Sequence, residues 1–155
     1  MQNKFLSDAA LAESEDRFER GLDVLFGMSS EKMDLVTNRL AEVAPDFARL
    51  VIEYAFGTIF AREVLDMRSR ELIAVSVLTA RGDSIAPLRA HITSALKFGI
   101  SRAEVVESMI QVSIYSGFPV VINALTACHD LLTMIEDPNC ASCPDPIQQT
   151  DVGHS

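Results

Sequence analysis

Apolar residues recur along this chain at helical spacing, and no segment alternates in the way a half-buried strand would. A first helix is expected from Ser14 to Phe26, ended by Gly27, and a second from Ser30 to Val43. Pro45 sits where the first turn of a third helix tolerates proline. There Phe47, Leu50, Val51, Tyr54 and Ala55 form a stripe at helical spacing, expected to face a core. Asp66 is the expected N-cap of a fourth helix, whose interior Leu72-Ile73-Ala74-Val75-Ser76-Val77-Leu78 is apolar on nearly every side. Such a helix is expected to be buried all round, and so to be central. Gly82 closes it.

A fifth helix is expected after Asp83 or Ser84, with Pro87 in its first turn, a stripe of Leu88, Ile92, Ala95 and Leu96, and Gly99 just past its end. Ser101-Arg102-Ala103-Glu104 is a capping box opening a sixth. Gly117 and Pro119 precede a seventh, expected from Pro119 to Ile135. From Asp137 onward prolines and polar residues replace any period, which reads as a tail. The expectation is an all-α bundle of about six to seven helices over residues 1–136, followed by a flexible segment over 137–155.

The chain has 155 residues, enough for one domain with its own core. Its 13 basic against 22 acidic side chains give a net charge of −9. That argues against a nucleic-acid partner, which needs a basic face, and against anionic membranes. Mean hydropathy is +0.20, yet no stretch reaches the roughly 20 apolar residues that span a bilayer. The excess apolar surface is expected to be buried between copies, which makes a homo-oligomer. Met1 to Ser14 holds no apolar core of a secretory signal, and an odd set of cysteines (Cys128, Cys140, Cys143) fits a reducing compartment. A cytoplasmic location is expected.

Two side chains stand out as candidate chemistry. Glu71 lies beside the most apolar run, where a carboxylate needs a partner or a raised pKa. An ion pair with Arg68 or Arg70, or exposure in a first helical turn where an acid favours the helix dipole, is from spacing alone the plainer account of it. His91 sits on the edge of the fifth helix's stripe, suited to proton transfer near neutrality or to a bond with a backbone carbonyl. A short turn makes the fourth and fifth helices antiparallel. Glu71 then lies roughly 15 Å from that turn and His91 roughly 10 Å, so the two are expected to line one pocket. Cys140-Ala141-Ser142-Cys143 is a CxxC bracketed by Pro138 and Pro144 and reads as incidental, while Cys128 reads as core. His129 reads as a surface residue. Phosphate-loop, HExxH, GxSxG and EF-hand patterns are absent, so spacing alone stops at a helical, oligomeric, cytoplasmic and acidic protein.

The order of residues carries more. Arg17-Phe18-Glu19-Arg20-Gly21, Tyr54-Ala55-Phe56-Gly57, Leu65-Asp66-Met67-Arg68-Ser69-Arg70 and His91 occur in series. So do Glu104-Val105-Val106-Glu107 and Gln111-Val112-Ser113-Ile114-Tyr115-Ser116-Gly117-Phe118-Pro119. In this the chain resembles the carboxymuconolactone decarboxylase family, whose relatives include the alkylhydroperoxidase D type. The resemblance implies an all-helical fold and a ring-like homo-oligomer, a hexamer or a trimer. It implies one of two activities. The decarboxylase branch removes CO2 from 4-carboxymuconolactone in aromatic catabolism, on the β-ketoadipate route, without a cofactor. The peroxidase branch uses a CxxC at the start of the fifth helix, a His one turn on, and a Glu on the fourth.

Glu71 and His91 match that Glu and His, but the cysteine positions fall near Ser84 and Pro87, and no cysteine occurs between Met1 and Ala127. A thiol-dependent hydroperoxide reductase would lack its nucleophile. The implied activity is therefore a carboxy-lyase. His91 would be the general acid and Glu71 would orient it. Arg81 or Arg89 would hold a substrate carboxylate, and Tyr115, unless an ordinary core aromatic, would donate to a carbonyl. The alternative is a diverged member that binds a small acid, or serves as an oligomeric subunit, without catalysis. The chain also departs from the decarboxylase pattern: Ile92-Thr93 and Lys97-Phe98-Gly99 stand where Val-Arg and Asn-Asn-Gly are usual, and Phe56 and Thr58 where a Trp and an acid are common.

Overall fold

A computed structural model describes residues 8–133; Cys140, Cys143 and the expected tail lie outside them. Among the described residues every regular element is helical. Helix α1 (Asp8–Phe26) starts earlier than Ser14 and ends at Gly27 as expected. Helix α2 (Ser30–Asp34) continues through a π-helical segment, Leu35–Leu40, into the short α3 (Ala41–Val43), so the expected second helix is one run with widened turns at its middle. Helix α4 (Pro45–Val51) passes directly into a second π-helical segment, Ile52–Phe60. Then follow α5 (Met67–Arg81), α6 (Ile85–Lys97), α7 (Arg102–Ser116), α8 (Phe118–Ala127) and α9 (His129–Thr133). The seventh expected helix is thus two, broken at Cys128, where φ is −110° and ψ 10°.

The local signals act where the sequence put them. Asp66 accepts a 2.7 Å bond from the Ser69 amide at the start of α5. Gly82, at φ 73°, ends it in a left-handed conformation that suits glycine. Ser101 and Glu104 form the reciprocal capping box of α7. Ser84 departs from expectation. Its hydroxyl donates to the Asp83 carboxylate and accepts no amide of α6, which starts without a side-chain cap.

Two apolar clusters hold the bundle. Val75, Leu88, Ile92, Val105, Met109 and Cys128 fill one, between α5, α6, α7 and the end of α8. Leu25, Met28, Val36, Ile52 and Phe56 fill the other, under α1 and the two π segments. In the second, backbones nearly touch. A Cβ on Gly57 would overlap the Arg17 carbonyl, and one on Gly21 the Ile52 carbonyl. Glycine at both positions is what lets α1 lie directly on the second π segment.

Two expectations about faces are corrected. Phe47, Leu50 and Tyr54 point away from the core, each more than half exposed, while Ala48, Ile52 and Phe56 are buried. The segment is apolar on two sides, and Gly57, with no Cβ to hold α1 away, lies on the buried one. Helix α5 is likewise buried along Glu71, Val75 and Thr79 but leaves Ile73 and Val77 half exposed in the single chain. Its burial is one-sided, not all round, as far as the described residues go.

Candidate functional site

The buried row of α5 has a period of four residues: Glu71, Val75 and Thr79 all face inward. The turn at Gly82 returns the chain antiparallel as α6, which brings His91 level with Glu71. The Glu71 Oε2 and His91 Nδ1 atoms are 2.8 Å apart. A third group, Lys32, enters from α2. Its Nζ donates to Glu71 Oε1 at 2.7 Å and lies 3.0 Å from the same His91 Nδ1. The side chains are 0% exposed for Glu71, 3% for Lys32 and 18% for His91. Phe60, the last residue of the second π segment, roofs the cluster. Its ring centroid is 5.6 Å from Lys32 Nζ and 6.3 Å from the His91 ring.

Lys32 is held firmly. Its amide donates to the Ser29 hydroxyl, which donates to the Ala90 carbonyl of α6. The Ser29 amide and hydroxyl both meet the Ser94 hydroxyl at 3.1 Å, and Lys97 Nζ donates to the Met28 carbonyl. These buried bonds fasten the start of α2 to α6.

The electrostatics follow from burial and pairing. Burial drives the Lys32 ammonium below the ordinary lysine value, and the Glu71 carboxylate opposes this only in part. Burial also works to raise the Glu71 carboxyl. The His91 hydrogen bond and the Lys32 charge outweigh it and hold the group below the usual carboxylate range. Glu71 is therefore a carboxylate, and the group of three carries its own counter-ion.

The structure brings Glu71 and His91 together and leaves the other expected side chains elsewhere. The ion pair of Glu71 with Arg68 or Arg70 does not form. Arg68 bonds the Gly99 carbonyl and Glu104, and Arg70 bonds the carbonyls of Arg62 and Leu65. Arg81 pairs with Asp83 on an exposed turn. Arg89 forks onto both Asp130 oxygens at 2.6 Å, and its hydrogen bonds hold that carboxyl down at about 2. Arg89 also lines, with Arg39, Ser30 and Ala86, a cavity of about 410 Å³ between α2 and α6. Tyr115 is 82% exposed on α7, so in the single chain it is not a core aromatic. Cys128 is fully buried, and burial raises its thiol pKa, as suits a core residue. Among the described residues no three His, Cys, Asp or Glu side chains are grouped to hold a metal ion, and no helix is long and apolar enough to cross a membrane.

Lys32 escaped the sequence reading, although a signal was present. The chain has ten arginines but three lysines, Lys4, Lys32 and Lys97. Lys32 lies between Met28, Met33 and Val36, and lysine, unlike arginine, shifts its pKa readily when buried.

Comparison with known proteins bears on the same residues. The model of the carboxymuconolactone decarboxylase family matches residues 45–130, a stretch that holds Glu71 and His91 but not Lys32. The 4-carboxymuconolactone decarboxylase of Acinetobacter baylyi is 28% identical over 106 residues, 68% of this chain and 78% of that protein. The nitrosuccinic acid decarboxylase of Metarhizium robertsii is 28% identical over 124 residues, 77% of this chain and 84% of that protein. An uncharacterized 15.0 kDa protein of Paracoccus denitrificans is 30% identical over 101 residues, 64% of this chain and 74% of its own length.

Proposed function

The chain belongs to the carboxymuconolactone decarboxylase family, and from that premise we propose that it is a cofactor-free carboxy-lyase acting on a small carboxylated lactone or a similarly activated acid. The observation that carries this reading is the buried Lys32–Glu71–His91 cluster. The substrates named in two relatives have a common logic. In each, the departing CO2 leaves an electron pair conjugated with an oxygen-bearing acceptor, a lactone carbonyl or a nitro group. Such a substrate carries its own electron sink. The protein has to hold the carboxylate out of water and deliver one proton to carbon. His91, the partly exposed member of the cluster, is the proton donor, and Glu71 fixes its ring.

We also propose that the working form is a homo-oligomer, a hexamer or a trimer. Tyr115, exposed in the single chain, then meets substrate at an interface between copies, and Arg89, which lines the α2–α6 cavity, exchanges Asp130 for a substrate carboxylate.

The test is release of CO2 from 4-carboxymuconolactone by the purified protein, with His91→Ala alongside. We expect turnover in the wild type and a loss of about 10²–10⁴-fold in the variant, the range for a missing general acid. Equal turnover in the two would overturn the role of His91. Binding of the lactone without release of CO2 would favour the non-catalytic reading.

A further inference from the structure

His91 Nδ1 has two partners and room for one proton. Toward Lys32 Nζ, at 3.0 Å, it must be bare and accept; toward Glu71 Oε2, at 2.8 Å, it must be protonated and donate. In a neutral ring the first arrangement puts the proton on Nε2, and the second leaves Nε2 bare. Nε2 has no hydrogen-bond partner among the described residues. Nor is it a buried atom lacking one, Thr79 Oγ1 being the one such side-chain atom found among them. Nε2 is therefore the edge that substrate can approach.

We propose that Lys32 is the proton source behind His91, and that the two contacts of Nδ1 belong to the loaded and the spent state of one proton store. This rests on the decarboxylase reading for its catalytic consequence. In the loaded state Lys32 is an ammonium donating to a bare Nδ1, and Nε2 carries the ring proton. When CO2 leaves, the carbon–carboxylate electron pair stays with the substrate. That pair forms the new C–H bond as the Nε2–H bond breaks. The Nδ1 lone pair takes a proton from Lys32, whose N–H electrons remain as the amine lone pair. In the spent state Lys32 is neutral, Nδ1–H donates to Glu71, and Nε2 is bare. A solvent proton entering at Nε2 returns the Nδ1 proton to Lys32. Loss of CO2 from a carboxylate consumes one proton per turnover, and the store holds one.

The surroundings suit this role. Lys32 comes from α2, Glu71 from α5 and His91 from α6, and no other charged group among the described residues is bonded to any of them. The second π segment contributes only the Phe60 ring, with Arg70 Cζ 6.0 Å from that ring's centroid. Burial makes the Lys32 proton easier to give up. Each state keeps one of the two causes that lower the Glu71 carboxyl, the Lys32 charge in the loaded state and the Nδ1–H bond in the spent one. A direct attack of Nζ on a substrate carbonyl is excluded by its 3% exposure and its two bonds. Lys32 thus acts through His91.

The experiment compares wild type, Lys32→Met and Lys32→Arg by two readouts. Long-range proton–nitrogen NMR of 15N-labelled histidine reads the His91 tautomer at neutral pH. Wild type is expected to carry its proton on Nε2, and Lys32→Met on Nδ1, donated to Glu71. The second readout is turnover of 4-carboxymuconolactone. Arginine keeps the charge but cannot be deprotonated. Both variants are therefore expected to lose about 10²-fold or more in kcat with KM little changed, on the scale of a lost acid catalyst. A wild-type ring protonated on Nδ1, or a Lys32→Arg enzyme with full kcat, would overturn the proposal. If the wild type turns over no substrate, the decarboxylase reading fails, while its tautomer still decides the resting state of the store. Should Lys32→Met not fold, the wild-type spectrum and Lys32→Arg suffice.

Discussion

A carboxylate with nothing exposed survives at Glu71 because Lys32 and His91 reach it from two other helices. Removing one donor strands a buried charge, which typically costs about 3–5 kcal/mol; replacing the whole pair by apolar groups of similar volume is often neutral or better. Lys32→Met alone should therefore destabilise the fold strongly, and Lys32→Met with Glu71→Met should recover most of the loss while abolishing turnover. Denaturant unfolding of the four proteins of that cycle measures it, and additive effects would contradict the pairing. The pH dependence has a definite sign. The folded-state pKa of Glu71 lies below its ordinary 4.5, so its stabilisation is fully present above that value and is lost as pH falls through the folded one. The stability gap between wild type and Glu71→Gln should then shrink as pH falls below 4.5, read by the same unfolding curves. At this scale Glu71 and His91 were legible because they flank one short turn, and helix geometry fixes their depth. Lys32 was not, since its partner Glu71 is 39 residues away and an isolated lysine in an amphipathic helix reads as a solvated side chain.

Helix ends were written in the sequence because caps are local. Asp66, Gly82, Ser101 with Glu104, and Gly99 act within a few residues of the boundaries they set. The widened turns were not, because a π segment has no local residue signature and is imposed by packing. Ile52–Phe60 shows what it does. An added residue in the turn moves the later side chains round the axis, so that Phe56 enters the core and Phe60 reaches Lys32 and His91. The stripe from Phe47 to Ala55, read at a strict α period, could not anticipate this. The element depends on Gly57, whose missing Cβ lets α1 approach. Gly57→Ala must push apart two backbones, not a flexible side chain, and should cost about 1–3 kcal/mol, the usual range for overpacking. In a domain of this size each kcal/mol lowers the melting temperature by about 2–4 °C. Because Phe60 ends the same segment, turnover should fall beyond the loss of folded protein. A melting temperature within 1 °C of wild type, a window set by that scale, would show that the crossing yields more easily than its geometry says.

At the scale of the whole molecule, the apolar surface left over decides the argument. Ile73 and Val77 of α5, Ile110 and Ile114 of α7, and Phe118 and Ile122 of α8 are each close to half exposed or more. These three helices pack on one another, so these residues lie on adjoining elements. Single exposed apolar residues are ordinary, but such a set on packed helices is what an interface between copies would bury. With a net charge of −9, approach of another acidic copy is opposed at long range, so association has to be driven by this apolar area and is favoured by salt, which screens the repulsion. We therefore expect light scattering to find a trimer or hexamer at micromolar concentration and physiological salt, and a smaller species when the salt is withdrawn. Ile114→Glu places one more negative charge at the centre of the face, where each copy would present it to the next. It should dissociate the assembly without touching Lys32, Glu71 or His91, whose cluster is internal to one chain. If Tyr115, the next residue, completes the site from across the interface, turnover should fall with the loss of assembly and return when protein concentration restores it. A monomeric wild type, or a dissociated Ile114→Glu variant with undiminished turnover, would show that one chain holds the whole site.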